Sequence, residues 1–233
     1  MVAIRILQAI TPEDARDYLA RFGFNPKHHP PYLTMALGAG STTPLEMARG
    51  YAVFANGGYL VEPYFISHIE DIEGNLIFKT KSQRKRTTAD QVLDTRNVFT
   101  MSSLLRNVIQ TGTGIRAKSL RRKDLAGKTG TTNDNIDAWF AGFQRRVVAI
   151  TWVGKDQPGP LGDKETGSKA ALPIWIDYMK TALKEFPEEK PLARPEGIRS
   201  ILIDSETGLP NEEGVIEYFY EENAPRTDSG ALF

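Results

Sequence analysis

Apolar side chains recur at helical spacing in four stretches with clear stops. Ala15, Tyr18, Leu19 and Phe22 share one face of a helix that Thr11-Pro12-Glu13-Asp14 opens and Gly23 ends. Threonine caps it, proline takes the first helical position, and the acids meet the positive end of the helix dipole. Thr43-Pro44-Leu45-Glu46 repeats the device with glutamate placed for a capping box. Leu45, Ala48, Tyr51, Ala52 and Ala55 form the apolar side of that helix, and Asn56-Gly57-Gly58 stops it. A third helix is predicted over about 90–110, with Val98, Met101, Leu105 and Val108 aligned and Gly112 and Gly114 beyond its end. The last runs from Ala170 to Phe186, carries Trp175, Tyr178, Met179, Ala182 and Leu183, and halts at Pro187.

Strand patterns fill the gaps. Residues 59–79 read as β, with a turn at Glu73-Gly74-Asn75. RVVAITWVG (146–154) is apolar at every alternation, which predicts a strand in the middle of a sheet covered on both sides. It joins a preceding strand, from residue 137, tightly at Gln144-Arg145-Arg146. Irregular alternation of helices and strands favours an α+β design, an antiparallel sheet flanked by helices. Beyond 187 the chain turns acidic and proline-rich, with one short apolar run at Ile201 to Ile203. Residues 188–233 are expected to be a loosely packed extension to a domain over 1–187.

Composition narrows the function. Lys+Arg and Asp+Glu are both 29, so no global field attracts nucleic acid or an anionic surface. Cysteine is absent, which excludes disulfides, thiolate metal sites and a cysteine nucleophile. His28 and His29 stand before Pro30-Pro31, the pattern of a loop rather than a metal site, and His68 is isolated. No cofactor or metal is implied. No run of about 18 apolar residues spans a bilayer, and no secretory leader is legible. KTKSQRKRTT (79–88) is a basic stretch without apolar partners, read as a solvated loop.

One segment carries chemistry. LAGKTGTTNDNIDAWFAGF (125–143) sets Lys128 between glycines and follows it with threonines. A phosphate-binding loop would need glycine five positions before Gly127, where Arg122 stands, and a helix afterwards; neither is present. As an edge strand the segment makes better sense. Thr129 and Thr131 project from one face, Lys128 adds a point charge, and Gly130 leaves room for another backbone. That suits a peptide lying antiparallel to the strand with its carboxylate near the hydroxyls and the cation. A glycine-weakened strand beside a turn fits the spacing equally well.

Lys128-Thr129-Gly130-Thr131-Thr132 resembles the KTG motif of penicillin-recognising serine acyltransferases. LGAGSTTPLEMARGYAVFANGGY (37–59), QTGTG (110–114), DAWFAGF (137–143), TWVGKDQP (151–158) and ALPIWIDYM (171–179) resemble the transpeptidase domain of class A, bifunctional penicillin-binding proteins. PEGIRSILIDSETG (195–208) and EYFYEENAP (217–225) are similar to the C-terminal end of the 1A type from Gram-negative bacteria. The resemblance covers essentially the whole chain. It implies acyl transfer on peptidoglycan stem peptides ending in D-Ala-D-Ala, inhibition by β-lactams, and a full-length protein anchored at the periplasmic face of the inner membrane. In it, Lys128 assists proton transfer to the leaving group and favours the substrate carboxylate. Thr129 and Thr131 hydrogen-bond that carboxylate, Gly130 and Thr132 complete the binding strand, and the Thr131 N–H is one of two oxyanion donors. Trp139 and Phe140 are expected to pack beneath the site.

The family's nucleophile opens an SxxK motif and a second motif reads SxN, both well before KTG. Ser82-Gln83-Arg84-Lys85 is the one match to SxxK, and its cationic, apolar-free surroundings do not suit a nucleophile. The chain is therefore expected to begin just past SxN, to hold the third motif alone, and to be inactive by itself. Strands supplied from elsewhere would leave apolar surface exposed here. The rival readings are a non-catalytic interaction fragment and, more remotely, a nucleotide-binding domain.

Overall fold

A computed structural model of the chain describes residues 2–80 and 91–225. Five α-helices occur among them: α1 (Val2–Ile10), α2 (Pro12–Ala20), α3 (Pro44–Ala55), α4 (Thr95–Gln110) and α5 (Leu172–Ala182). Seven strands accompany them: β1 (His68–Glu70), β2 (Leu76–Lys79), β3 (Ala126–Thr131), β4 (Ala138–Gln144), β5 (Val147–Val153), β6 (Ile198–Ile203) and β7 (Val215–Tyr220). The helix starts follow the capping chemistry of the sequence. Thr11 accepts from the Asp14 N–H, and Thr43 and Glu46 form a complete capping box. Asp94 caps α4 by accepting from the Asn97 N–H, so that helix starts at 95 rather than near 90. Helix α1 departs from the sequence reading, which assigned no helix there; it buries only Leu7 and leaves Val2, Ile6 and Ile10 exposed.

The central sheet is antiparallel in the order β3-β4-β5. This corrects the placement of 146–154. Among the described residues, strand β4 is the middle one and nearly all buried, whereas β5 is at the edge and half-buried along its length. Both faces of β5 do meet helices, which explains its unbroken apolar pattern. Val147, Ala149 and Val153 pack with Phe140, Leu172, Trp175 and Met179, and Val148 packs with Ala55, Leu105 and Phe143. The ring of Phe140 meets Trp175 edge-on at 4.9 Å, with both side chains fully buried.

A second correction concerns 59–79. Only β1 and β2 pair as strands there; Tyr59 forms an isolated bridge with Gln91, and 60–67 is irregular. Pro63 lies within that stretch and lacks the N–H a ladder needs. Tyr64, Phe65 and Ile66 consequently stand exposed. The basic stretch 79–88 and its Ser82-to-Lys85 match fall, from residue 81 on, outside the described residues.

After α5, β6 and β7 pair as an antiparallel hairpin resting on α4. Phe99 meets Tyr218 edge-on at 4.9 Å, and Arg96 both pairs with Glu222 at 2.9 Å and lies over the Tyr220 ring. Where the chain leaves α5, Arg122 donates to the carbonyls of Phe186 and Pro187 and pairs with Asp124 at 2.5 Å. Asp124 also accepts from the Glu189 N–H. Burial opposes ionisation of the Asp124 carboxyl, yet the bonds from Arg122 and Glu189 outweigh it and hold the pKa below the usual range.

Candidate active-site groove along β3

Strand alternation sorts the side chains of β3. Lys128 pairs with Ala141, Gly130 with Trp139, and Trp139 in turn with Trp152, so these residues share one face. That face lines a groove of about 500 Å³ whose opposite wall is the 37–44 turn and the start of α3. Trp139 is thus a groove residue, its indole 6.0 Å from that of Trp152, and the expectation that it packs beneath the site fails. Its neighbour Phe140 does lie in the core. Two adjacent aromatics in a strand must face opposite ways, and the alternation decides which one is buried.

The ladder fixes the backbone too. The Thr132 N–H donates to the Asp137 carbonyl, so Thr132, Gly130 and Lys128 turn their backbone groups toward β4. Thr129 and Thr131 must then turn theirs to the other edge of the sheet, which is free of any strand among the described residues. In agreement, the Thr129 carbonyl accepts from Lys128 Nζ at 2.9 Å. The Thr131 N–H points the same way. Lys128 is exposed, and among the described residues no acidic side chain pairs with it.

Thr129 and Thr131 do project from one face, but it is the one opposite Lys128. The Thr129 hydroxyl lies 2.7 Å from that of Thr113, on the loop after α4. Thr131 Oγ1 accepts from the Gly167 N–H at 3.0 Å, at the start of a π-helical turn (Gly167–Ala171) that leads into α5. Gly167 sits hard against the strands: a Cβ there would lie 2.4 Å from the carbonyl oxygens of Gly130 and Trp139. Gly130 leaves the groove open above Trp139, whose Cβ a side chain at 130 would meet at 3.1 Å. Thr132 lies just past β3; its hydroxyl accepts from the Asp137 N–H at 2.7 Å and closes the turn into β4. Thr113 is the participant that sequence reasoning missed. Its signal in the sequence is QTGTG (110–114), a threonine held between two glycines.

Tyr51 lines the same groove, and burial pushes its phenol up to about 12, so it stays protonated at neutral pH. Among the described residues Ser41 alone of the serines lines the groove; it lies in irregular chain before α3 and opens no helix. Among the described residues no group of three or more His, Cys, Asp or Glu could hold a metal ion, and no helix is long and apolar enough to cross a membrane. His29 is buried against Phe24, and that burial lowers its pKa.

Residues 1–180 match the family model for the penicillin-binding protein transpeptidase domain. The chain belongs to the penicillin-binding protein transpeptidase family. Among the chain's relatives, penicillin-binding protein 1A of Neisseria lactamica is 46% identical over 198 residues, covering 85% of this chain and 25% of that protein. The Pseudomonas aeruginosa 1A protein is 38% identical across 97% of this chain and 33% of its own length. The crystal structure of penicillin-binding protein 1A from Haemophilus influenzae superposes with a TM-score of 0.87 at 38% identity, over 97% of this chain and 39% of that one. The chain thus spans about a quarter to a third of the curated relatives' length. The resemblance to the 1A type and the α+β architecture both stand.

Proposed function

We propose that this chain supplies the substrate-binding strand of a D,D-transpeptidase that cross-links peptidoglycan stem peptides by serine acyl transfer. The observation that carries the reading is the free edge of β3, where an exposed Lys128 and the outward N–H of Thr131 border one groove. A peptide laid antiparallel along that edge would extend the sheet. Its reacting carbonyl would meet the Thr131 N–H, one such oxyanion donor being worth roughly 10²–10³ in rate. Lys128 would give up its bond to the strand's own carbonyl and turn to the leaving group. Thr129, Gly130, Thr131 and Thr132 form the binding strand, and β-lactams would occupy the same edge as substrate mimics.

The attacking serine comes from a segment outside this chain, because Ser41 lacks both a helix start and a neighbouring lysine, and Ser82 lies among cations. In the same proposal, residues 1–187 are the later portion of the domain and 188–233 an extension. The whole protein is anchored in the inner membrane with this part on the periplasmic face. Labelling with a fluorescent penicillin tests the reading. The chain alone should take no label, whereas the protein that joins it to its nucleophile should be labelled and should lose labelling in Lys128→Ala. Covalent label on a defined serine of the isolated chain would overturn the assignment.

A further inference from the structure

The two threonines of β3 are each held from behind, and the sense of those hydrogen bonds differs in how firmly it is set. At Thr131 it is fixed, because the Gly167 N–H only donates. Thr131 therefore accepts, and its own O–H proton is left over. At Thr129 either hydroxyl of the Thr113–Thr129 pair is able to donate. An anion placed at the strand removes the ambiguity. A Thr129 proton given to a carboxylate is unavailable to Thr113, so Thr113 must be the donor. Both rear bonds then run toward the strand, and both strand hydroxyls donate to the ligand.

The loop bearing Thr113 is built to hold that position. Thr113 stands between two glycines folded back on the last turn of α4. A Cβ at Gly112 would lie 2.9 Å from Val108 Cα and 3.0 Å from its carbonyl oxygen, so the backbone there would have to shift. The Gly114 N–H donates to that same Val108 carbonyl at 3.0 Å, and Gly114 is buried. Thr113 itself is exposed and buries nothing that would explain a threonine there.

We infer that Thr113 is a positioning residue for carboxylate recognition: its hydroxyl donates to Thr129 Oγ1 and so directs the Thr129 O–H toward the carboxylate of a peptide or β-lactam on the free edge of β3. This rests on the transpeptidase reading of the groove. Hydrogen bonds in a chain polarise one another, so the acceptor role of Thr129 strengthens its own donation.

The test uses the enzyme in which this chain is joined to its nucleophile, with benzylpenicillin and its methyl ester as paired probes. Thr113→Val should slow acylation by benzylpenicillin about tenfold, equivalent to ~1.4 kcal/mol, and leave the ester's rate within about twofold. Thr113→Ser, which keeps the donor, should restore the benzylpenicillin rate. The double variant Thr113→Val/Thr129→Val should be no slower than Thr129→Val alone, because the two act through one bond. Equal slowing of acid and ester, or failure of Thr113→Ser to restore, would reduce Thr113 to a fold contact and overturn the inference. So would a Thr113→Val enzyme at the parent rate while Thr129→Val is slow, and in that case the groove reading stands. If Lys128→Ala and Thr129→Val also acylate at the parent rate, the groove reading itself fails.

Discussion

Gly167→Ala is a sharp perturbation of the strand that borders the groove. The added methyl would sit 2.4 Å from two carbonyl oxygens, those of Gly130 and Trp139, and 3.2 Å from the Gly130 nitrogen. All three are backbone atoms of the paired strands β3 and β4, so no side chain can swing aside. The π-helical turn must retreat, and the Gly167 N–H loses Thr131 Oγ1. Overpacking of this kind costs about 1–3 kcal/mol, and the lost hydrogen bond about 0.5–1.5 kcal/mol. Against this, alanine in place of glycine in helical backbone gains roughly 0.5–1 kcal/mol. The net is a destabilisation of about 1–3 kcal/mol, or roughly 6 °C in Tm for a chain of this size. Urea unfolding followed by circular dichroism would show the midpoint moving to lower denaturant with the slope unchanged. Gly159→Ala serves as the control, since its nearest neighbour would be 3.9 Å away. A Gly167→Ala midpoint indistinguishable from that control would refute the close-approach argument.

Lys128→Ala should leave stability within about 0.5 kcal/mol, because the side chain is exposed and among the described residues bonds only its neighbour's carbonyl. In the enzyme with its nucleophile, the same change should lower penicillin acylation at least ~100-fold, the scale of a lost proton-transfer group. Asp124→Ala should cost ~3–5 kcal/mol in thermal unfolding, since it takes away the carboxylate that neutralises the largely buried Arg122 guanidinium and leaves it the carbonyls of Phe186 and Pro187. Because the folded Asp124 pKa lies below the unfolded one, the stability it contributes is present above the ordinary carboxylate range and lost as pH falls through the lowered value. Asp124→Asn should therefore lack that part of the acid loss. Tyr51 gives the opposite sign at high pH: its folded pKa of about 12 exceeds the unfolded value near 10, so stability drains as pH climbs between the two. Tyr51→Phe should flatten that decline in pH-dependent unfolding, by an amount on the order of a few kcal/mol.

Local chemistry was the legible part of the sequence. The capping box at Thr43 and Glu46, the stop at Pro187, the tight turn between β4 and β5 and the strand at Lys128 each depend on residues within a few positions of one another. What stayed hidden depends on partners distant in sequence. An unbroken apolar run reports that both faces of β5 are covered, but not that its outer edge lacks a neighbouring strand among the described residues. DAWFAGF reveals an aromatic pair, while the pairing of Gly130 with Trp139 decides that Trp139 lines the groove. The roles of Thr113 and Gly167 require β3 to be seen from behind, where residues 16 and 36 positions away supply the bonds. Helix α1 was missed because four of its residues, Val2, Ile4, Ile6 and Ile10, are β-branched and weak helix formers.

The Arg122–Asp124 pair has a practical bearing on how this protein is dissected. Residue 187 invites a cut, since a helix has just ended and the composition changes. Yet Arg122 grips the carbonyls on both sides of that point, and Asp124 takes the amide of Glu189, two positions before β3 begins. A variant trimmed at the apparent border would retain every groove residue while loosening the root of the strand that displays them. Truncations meant to isolate the groove should therefore carry at least the first turns of the acidic tail.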